Sequence, residues 1–161
     1  MWVRFPPSAL LDSDSCLICR ELRGDVVLAG GFVHEDDQVA AFHVPPLQEL
    51  GNPQPYLGHL LLVTKRHVAR LGDLTHAESA AVGVAATRLA RALTEAGDAD
   101  WVYAAVIGTG VPHFHLHLYP RYPETPRQTA WYAIDEWEGA RLGGADEIVE
   151  LATAVKEALS N

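Results

Sequence analysis

The sequence predicts an α+β domain. Short apolar runs bounded by turn residues come in succession, one long stretch carries a 3.6-residue apolar period, and the chain closes on a second such stretch. In FVHEDDQVAAF the apolar ends flank a polar centre from Glu35 to Gln38, which reads as strand, turn, strand over residues 26–34 and 39–44. VPPLQELGNPQPYLG follows, rich in Pro and Gly, and reads as a surface excursion. GHLLLVT, residues 58–64, is a continuous apolar run suited to a strand in the middle of a sheet. After the basic turn Lys65-Arg66-His67, the apolar spacing of Val82, Ala85, Ala86, Leu89 and Leu93 predicts a long helix. Thr75 with Glu78 forms its capping box and Gly97 its stop. WVYAAVI, residues 101–107, is a strand, residues 108–112 a tight turn, and residues 113–119 the strand that pairs beside it. Residues 120–144 show little periodicity, and Ile148, Leu151, Ala152, Val155 and Leu159 then mark a closing amphipathic helix. Residues 1–15 are expected to be an irregular arm, and residues 16–161 one domain with 122–161 packed on it as an extension.

Composition excludes several classes of partner. A formal net charge of -9 argues against a broad nucleic-acid or anionic-membrane surface, since those partners require clustered Lys and Arg. The chain lacks the roughly 18 consecutive apolar residues of a membrane span, and MWVRFPPSAL lacks the apolar region of a secretion signal, so the expected location is the cytoplasm. The two cysteines, Cys16 and Cys19, are spaced as a reduced pair or half of a metal clip.

The chemistry is concentrated in VPHFHLHLYPR. Side chains alternate across a strand, so His113, His115 and His117 are expected on one face and Phe114, Leu116 and Leu118 on the other. Same-face neighbours lie about 6.5 to 7 Å apart, close enough for a row of imidazoles to surround one small charged group. With 8 histidines in 161 residues, chance produces such a triplet in roughly 2% of chains, which favours a functional reading over three ordinary strand histidines. Imidazole can attack, accept or donate a proton near neutral pH, which suits phosphoryl or nucleotidyl transfer. A metal site built from the same histidines is the other chemical reading.

This run resembles the signature of the histidine triad (HIT) family of hydrolases and nucleotidyltransferases. CLICREL resembles the family's frequent N-terminal Cys-x-x-Cys, FVHEDDQVAAFH its first hairpin, and GHLLLVTKRHVARLGDLT its strand and basic turn before the long helix. The resemblance spans about residues 16–121. It implies a HIT-like antiparallel sheet of about five strands with one long helix and a C-terminal helix, paired across a two-fold axis into a homodimer. It also implies cleavage at the α-phosphate of a small nucleotide or nucleotide conjugate through a covalent nucleotidyl-histidine. His115 would be the nucleophile, His117 the contact to the scissile phosphate and leaving oxygen, His113 the brace of that strand, and His59 a fourth histidine orienting the nucleophile. In zinc-bearing relatives the cysteine pair is completed by a histidine of the basic turn and the first histidine of the signature. That implies a structural zinc held by Cys16, Cys19, His67 and His113; idle buried thiols and a redox pair are the alternatives.

The chain departs from the family pattern at three places. Val44 stands where an acidic residue often follows Phe-His, Gly110 stands where a hydroxyl is frequent, with Thr109 one place earlier, and the excursion after Val44 is longer than usual. Phe32 and Phe42 are candidates for the wall of a nucleoside pocket. Thr109 and Gly110 are candidates to cradle phosphate through a Gly-rich turn. Lys65, Arg66, Arg121 and Arg127 are candidates to steer an anion, with Arg121 best placed because it directly follows the triad. A non-catalytic nucleotide-binding or zinc-stabilised interaction module is the alternative function.

Overall fold

The structure, a computed structural model, describes residues 13–48, 51–108 and 110–161. Its elements are α1 (Leu17–Arg23), β1 (Phe32–Glu35), β2 (Val39–His43), β3 (Leu60–Thr64), α2 (His76–Gly97), β4 (Trp101–Ala105), β5 (His115–Arg121) and α3 (Ala145–Ser160). The five strands form one antiparallel sheet in the order β1-β2-β3-β5-β4. The expected α+β architecture, with one long helix and a C-terminal helix, is borne out.

Side-chain alternation divides the molecule into two layers. On one face Ala41, Leu60, Leu62 and Leu118, with Phe114 just ahead of β5, pack against Val82, Ala85, Leu89 and Leu93 of α2 and Ala152 and Val155 of α3. On the other face Ala40, Phe42 and Val63 pack against Cys16, Ile18 and Cys19 around α1. The two faces therefore have different uses. Burying the first against two helices fixes the strands, and the second, covered only in part by a seven-residue helix, retains a cavity.

α2 begins as its sequence requires: Thr75 Oγ1 accepts from the Glu78 amide at 3.1 Å, and Glu78 Oε2 accepts from the Thr75 amide at 2.8 Å. Arg66 closes on the same carboxylate, with Nε to Oε1 at 2.8 Å.

Three boundaries differ from the sequence reading. β1 starts at Phe32 rather than residue 26, because Gly30 and Gly31 both take positive φ, at 76° and 64°, which breaks an extended run. α1 was not legible in CLICREL as a helix, since seven residues carry too little periodicity. β5 runs His115–Arg121, so His113 lies ahead of the strand, whereas Pro120 and Arg121 lie within it. Pro120 is tolerated because the β3 ladder already ends at Leu60 opposite Leu118.

The segment between β2 and β3 folds back against the chain after β5. The Leu57 amide donates to the Arg141 carbonyl at 2.8 Å, Tyr122 Oη to the Leu57 carbonyl at 2.8 Å, and Tyr56 Oη to the Pro120 carbonyl at 2.9 Å. Gly58 is required where that segment enters β3. Its φ is 85°, and a Cβ there would lie 2.6 Å from Pro120 Cγ and from Tyr122 Oη. Among the described residues no helix is long and apolar enough to cross a membrane.

Candidate functional site

Register sets the site. In the β3–β5 ladder Leu61 faces His117 and Val63 faces His115, so both histidines project to the α1 side of the sheet with His59 at the start of the neighbouring strand. They line a cavity of about 330 Å³ with Leu17, Ile18 and Glu21 of α1, Val44, Pro45, Leu47 and Asn52 of the excursion, and Leu61 and Val111. No Lys or Arg lines it among the described residues.

The hydrogen bonds of His115 define its chemistry. Its Nδ1 lies 2.6 Å from the His113 carbonyl, which can only accept, so Nδ1 carries the proton and Nε2 keeps its lone pair. Burial holds this imidazole below its usual pKa despite that hydrogen bond. His117 stands edge-on to it, with ring centroids 4.9 Å apart. Burial first, and the nearby His115 second, lower the His117 pKa to about 4. His117 Nδ1 is 2.9 Å from His59 Nε2, and the His59 ring stacks on Tyr119 with centroids 3.9 Å apart. Desolvation, and then repulsion by its histidine neighbours, push His59 well below the usual imidazole range. The result is a nucleophile-competent ring beside a linked pair of neutral imidazoles.

His113 turns elsewhere. It is fully buried and does not line the cavity. Its Nε2 donates to the Thr64 carbonyl at 2.7 Å, which leaves the Nδ1 lone pair facing Cys16 Sγ at 3.5 Å and Cys19 Sγ at 3.4 Å. His67 Nδ1 reaches Cys19 Sγ at 3.2 Å, and the four ligand atoms all lie within 4.8 Å of one another. Zinc–sulfur and zinc–nitrogen bonds at tetrahedral angles place S and N about 3.6 Å apart, so this donor set fits zinc. The Thr64 carbonyl would serve as the outer partner that orients a ligating imidazole. Burial and the adjacent Cys16 sulfur raise the Cys19 thiol pKa, a cost that a divalent cation offsets by stabilising thiolate.

The remaining sequence candidates among the described residues do not line the cavity. Phe42 is fully buried in the α1-side core and Phe32 packs beside it, with ring centroids 6.1 Å apart; neither lines the cavity. Arg121 is committed to the carbonyls of Pro126 at 2.6 Å and Thr129 at 3.0 Å, where it braces the following loop. Lys65 pairs with Glu35 at 2.8 Å, and Arg66 pairs with Glu78. Gly110 is exposed and does not line the cavity, its neighbour Val111 does, and Thr109 lies outside the described residues. Sequence reasoning missed Glu21. Leu17, Ile18 and Glu21 sit at helical i, i+1, i+4 spacing, the one signal that could have placed them on a common face.

Comparison with known proteins agrees with this geometry. The HIT domain model matches residues 30–124. "Protein hit" of Bacillus subtilis (strain 168) is 27% identical over 115 residues, covering 68% of this chain and 73% of that protein. A Zn-bound histidine triad family protein from Mycobacterium smegmatis is similar in fold, with a TM-score of 0.66, 24% identity, and coverage of 92% of this chain and 96% of that one. A hypothetical histidine triad nucleotide-binding protein from Sulfolobus tokodaii gives a TM-score of 0.67 at 22% identity, covering 91% and 93%. With the family model spanning more than half of the sequence and the triad set in a five-stranded sheet, the chain belongs to the HIT domain family.

Proposed function

We propose that this protein is a histidine triad hydrolase or nucleotidyltransferase that cleaves at the α-phosphate of a small nucleotide or nucleotide conjugate. One observation carries the reading: the 2.6 Å hydrogen bond from His115 Nδ1 to the His113 carbonyl, which leaves the other ring nitrogen as a nucleophile on a cavity-lining side chain. A P–N bond forms at Nε2 while the bond from phosphorus to the leaving group breaks, and the leaving group departs with its electron pair and a proton from the His117 side. Without a phosphate beside it His117 is neutral; the anionic substrate offsets repulsion from His115 and raises the proton affinity of the ring. His59 fixes the orientation of His117 through the 2.9 Å contact. Water or an acceptor then attacks phosphorus and releases His115. The hypothetical histidine triad nucleotide-binding protein of Sulfolobus tokodaii, similar in fold, supports the nucleotide.

Zinc is structural in this reading and would be held by Cys16, Cys19, His67 and His113; it supplies positive charge that keeps both sulfurs as thiolates. The donor geometry and the Zn-bound relative from Mycobacterium smegmatis support it. A homodimer belongs to the same reading, supported by the exposed edge strand β4 with Trp101 63% accessible.

The test is His115→Ala, assayed over adenylyl, guanylyl and uridylyl conjugates and dinucleoside polyphosphates. Turnover is expected to fall by on the order of 10⁴-fold or more, as for removal of other enzyme nucleophiles, with the fold intact. Undiminished turnover would defeat the assignment. The second reading, a binding module without turnover, draws on Val44 in the cavity wall and on the lack of a lining Lys or Arg among the described residues. It is favoured if the wild type binds these nucleotides but processes none.

A further inference from the structure

The part of the cavity wall contributed by α1 is aliphatic except for one group. Leu17 and Ile18 of α1 form part of it, and Glu21, one turn along the same helix, puts a carboxylate at the edge of that surface. Glu21 is 2% exposed, and its Oε2 has no hydrogen-bond partner. A buried acceptor left unpaired is costly: burial pushes the Glu21 carboxyl up to about 7, against a smaller lowering effect of the Arg20 charge, so a ligand that donates hydrogen bonds to it would favour the ionised carboxylate. Leu17, Ile18, Leu61 and Val111 suit a flat apolar ring, and the Glu21 side chain is among the groups that line the same cavity.

We propose that Glu21 determines base specificity by accepting hydrogen bonds from the donor edge of the nucleobase, and that the favoured substrates are guanylyl compounds. The proposal rests on the nucleotide reading of this cavity. Of the four common bases, guanine alone presents two adjacent N–H donors, at N1 and the exocyclic N2 amine, in a fork that matches the two oxygens of a carboxylate. Adenine and cytosine offer one amine beside an acceptor nitrogen, and uracil offers one imino N–H between two carbonyls, so each sets an acceptor against Glu21. A site built to pair a donor rejects the analogue that lacks it, because the buried carboxylate stays unsatisfied. Glu21 thus selects the base and takes no part in bond breaking at His115.

Calorimetric titration of GMP, IMP, AMP, UMP and 2′-deoxy-GMP into the zinc-loaded wild type, Glu21→Gln and Glu21→Leu tests this. IMP differs from GMP only in lacking the N2 amine. The wild type is expected to bind GMP about tenfold or more tighter than IMP, as for one hydrogen bond to a charged group. AMP and UMP are expected to be weaker still. Glu21→Gln should bring the GMP to IMP ratio to within about twofold of unity. Glu21→Leu should melt no lower than the wild type, since it removes a buried acceptor without a partner, and should show the same loss of discrimination. An unchanged GMP to IMP ratio in both variants overturns the proposal while leaving the nucleotide site standing. If the variants instead erase a preference for GMP over 2′-deoxy-GMP, the carboxylate grips the sugar and the base assignment fails. If no mononucleotide binds the wild type, the nucleotide reading fails with it.

Discussion

His43 sits at the end of β2 with both ring nitrogens engaged: Nδ1 donates to the Val44 carbonyl at 2.7 Å, and Nε2 accepts from the Gly58 amide at 3.0 Å. A proton on Nε2 would break the second bond and place a charge on a side chain that is 1% exposed. Burial therefore lowers its pKa from 6.5 to about 4, against a smaller opposing effect of the Val44 hydrogen bond. Between those values the unfolded chain binds a proton that the folded chain refuses. Its contribution to stability is complete above pH 6.5 and is lost as pH falls toward 4. The shift corresponds to on the order of 3 kcal/mol across that interval. His59 and His117 are shifted the same way and add to it. Urea denaturation of His43→Gln at a series of pH values should give a shallower dependence of stability on pH between 6.5 and 4.5 than the wild type; an identical slope would refute the role of this ring. At this scale the sequence was informative where one residue type repeats in a pattern, as in the triad. It was silent where the meaning lies in a partner: nothing near Arg121 or Phe42 in sequence says that one braces a loop and the other fills a core.

The proposed zinc clip joins three separate pieces of chain: α1 through Cys16 and Cys19, the turn after β3 through His67, and the entry to β5 through His113. The last connection matters most, because the His113 side chain faces the sulfurs while its carbonyl holds Nδ1 of His115. The proposed metal site and the proposed nucleophile thus share one residue. Elemental analysis should find about one zinc per wild-type chain and markedly less in Cys16→Ser, whose melting temperature should drop and whose turnover should fall with it. Equal metal content in the two proteins would remove zinc from the account. The strands and long helix were readable because their apolar spacing extends over many residues and their ends carry caps, as at Thr75 and Glu78. α1 is too short for that, and the start of β5 was misplaced by two residues because His113 continues the alternating pattern while its backbone no longer pairs with β3 or β4.

Across the whole molecule, α2 and α3 bury one face of the sheet and hold the other face in place, so that β3 and β5 can present His59, His115 and His117 beneath α1 and the excursion after β2. That excursion reads in sequence as a surface loop longer than the family pattern, and Pro45, Leu47 and Asn52 form part of the cavity wall. How far it folds in could not be read locally, because its position depends on contacts with Arg141 and Tyr122, more than sixty residues away. In the proposed reaction the His115 ring becomes covalently bonded to phosphorus during turnover. Rapid acid-free quenching of the zinc-loaded protein with a guanylyl conjugate, followed by mass spectrometry of the digested chain, tests this step. A nucleotidyl mass on the peptide carrying His115, formed and lost at rates compatible with turnover and absent from His115→Ala, is the predicted result. Turnover in which no such adduct forms, or in which it sits on another residue, would contradict it.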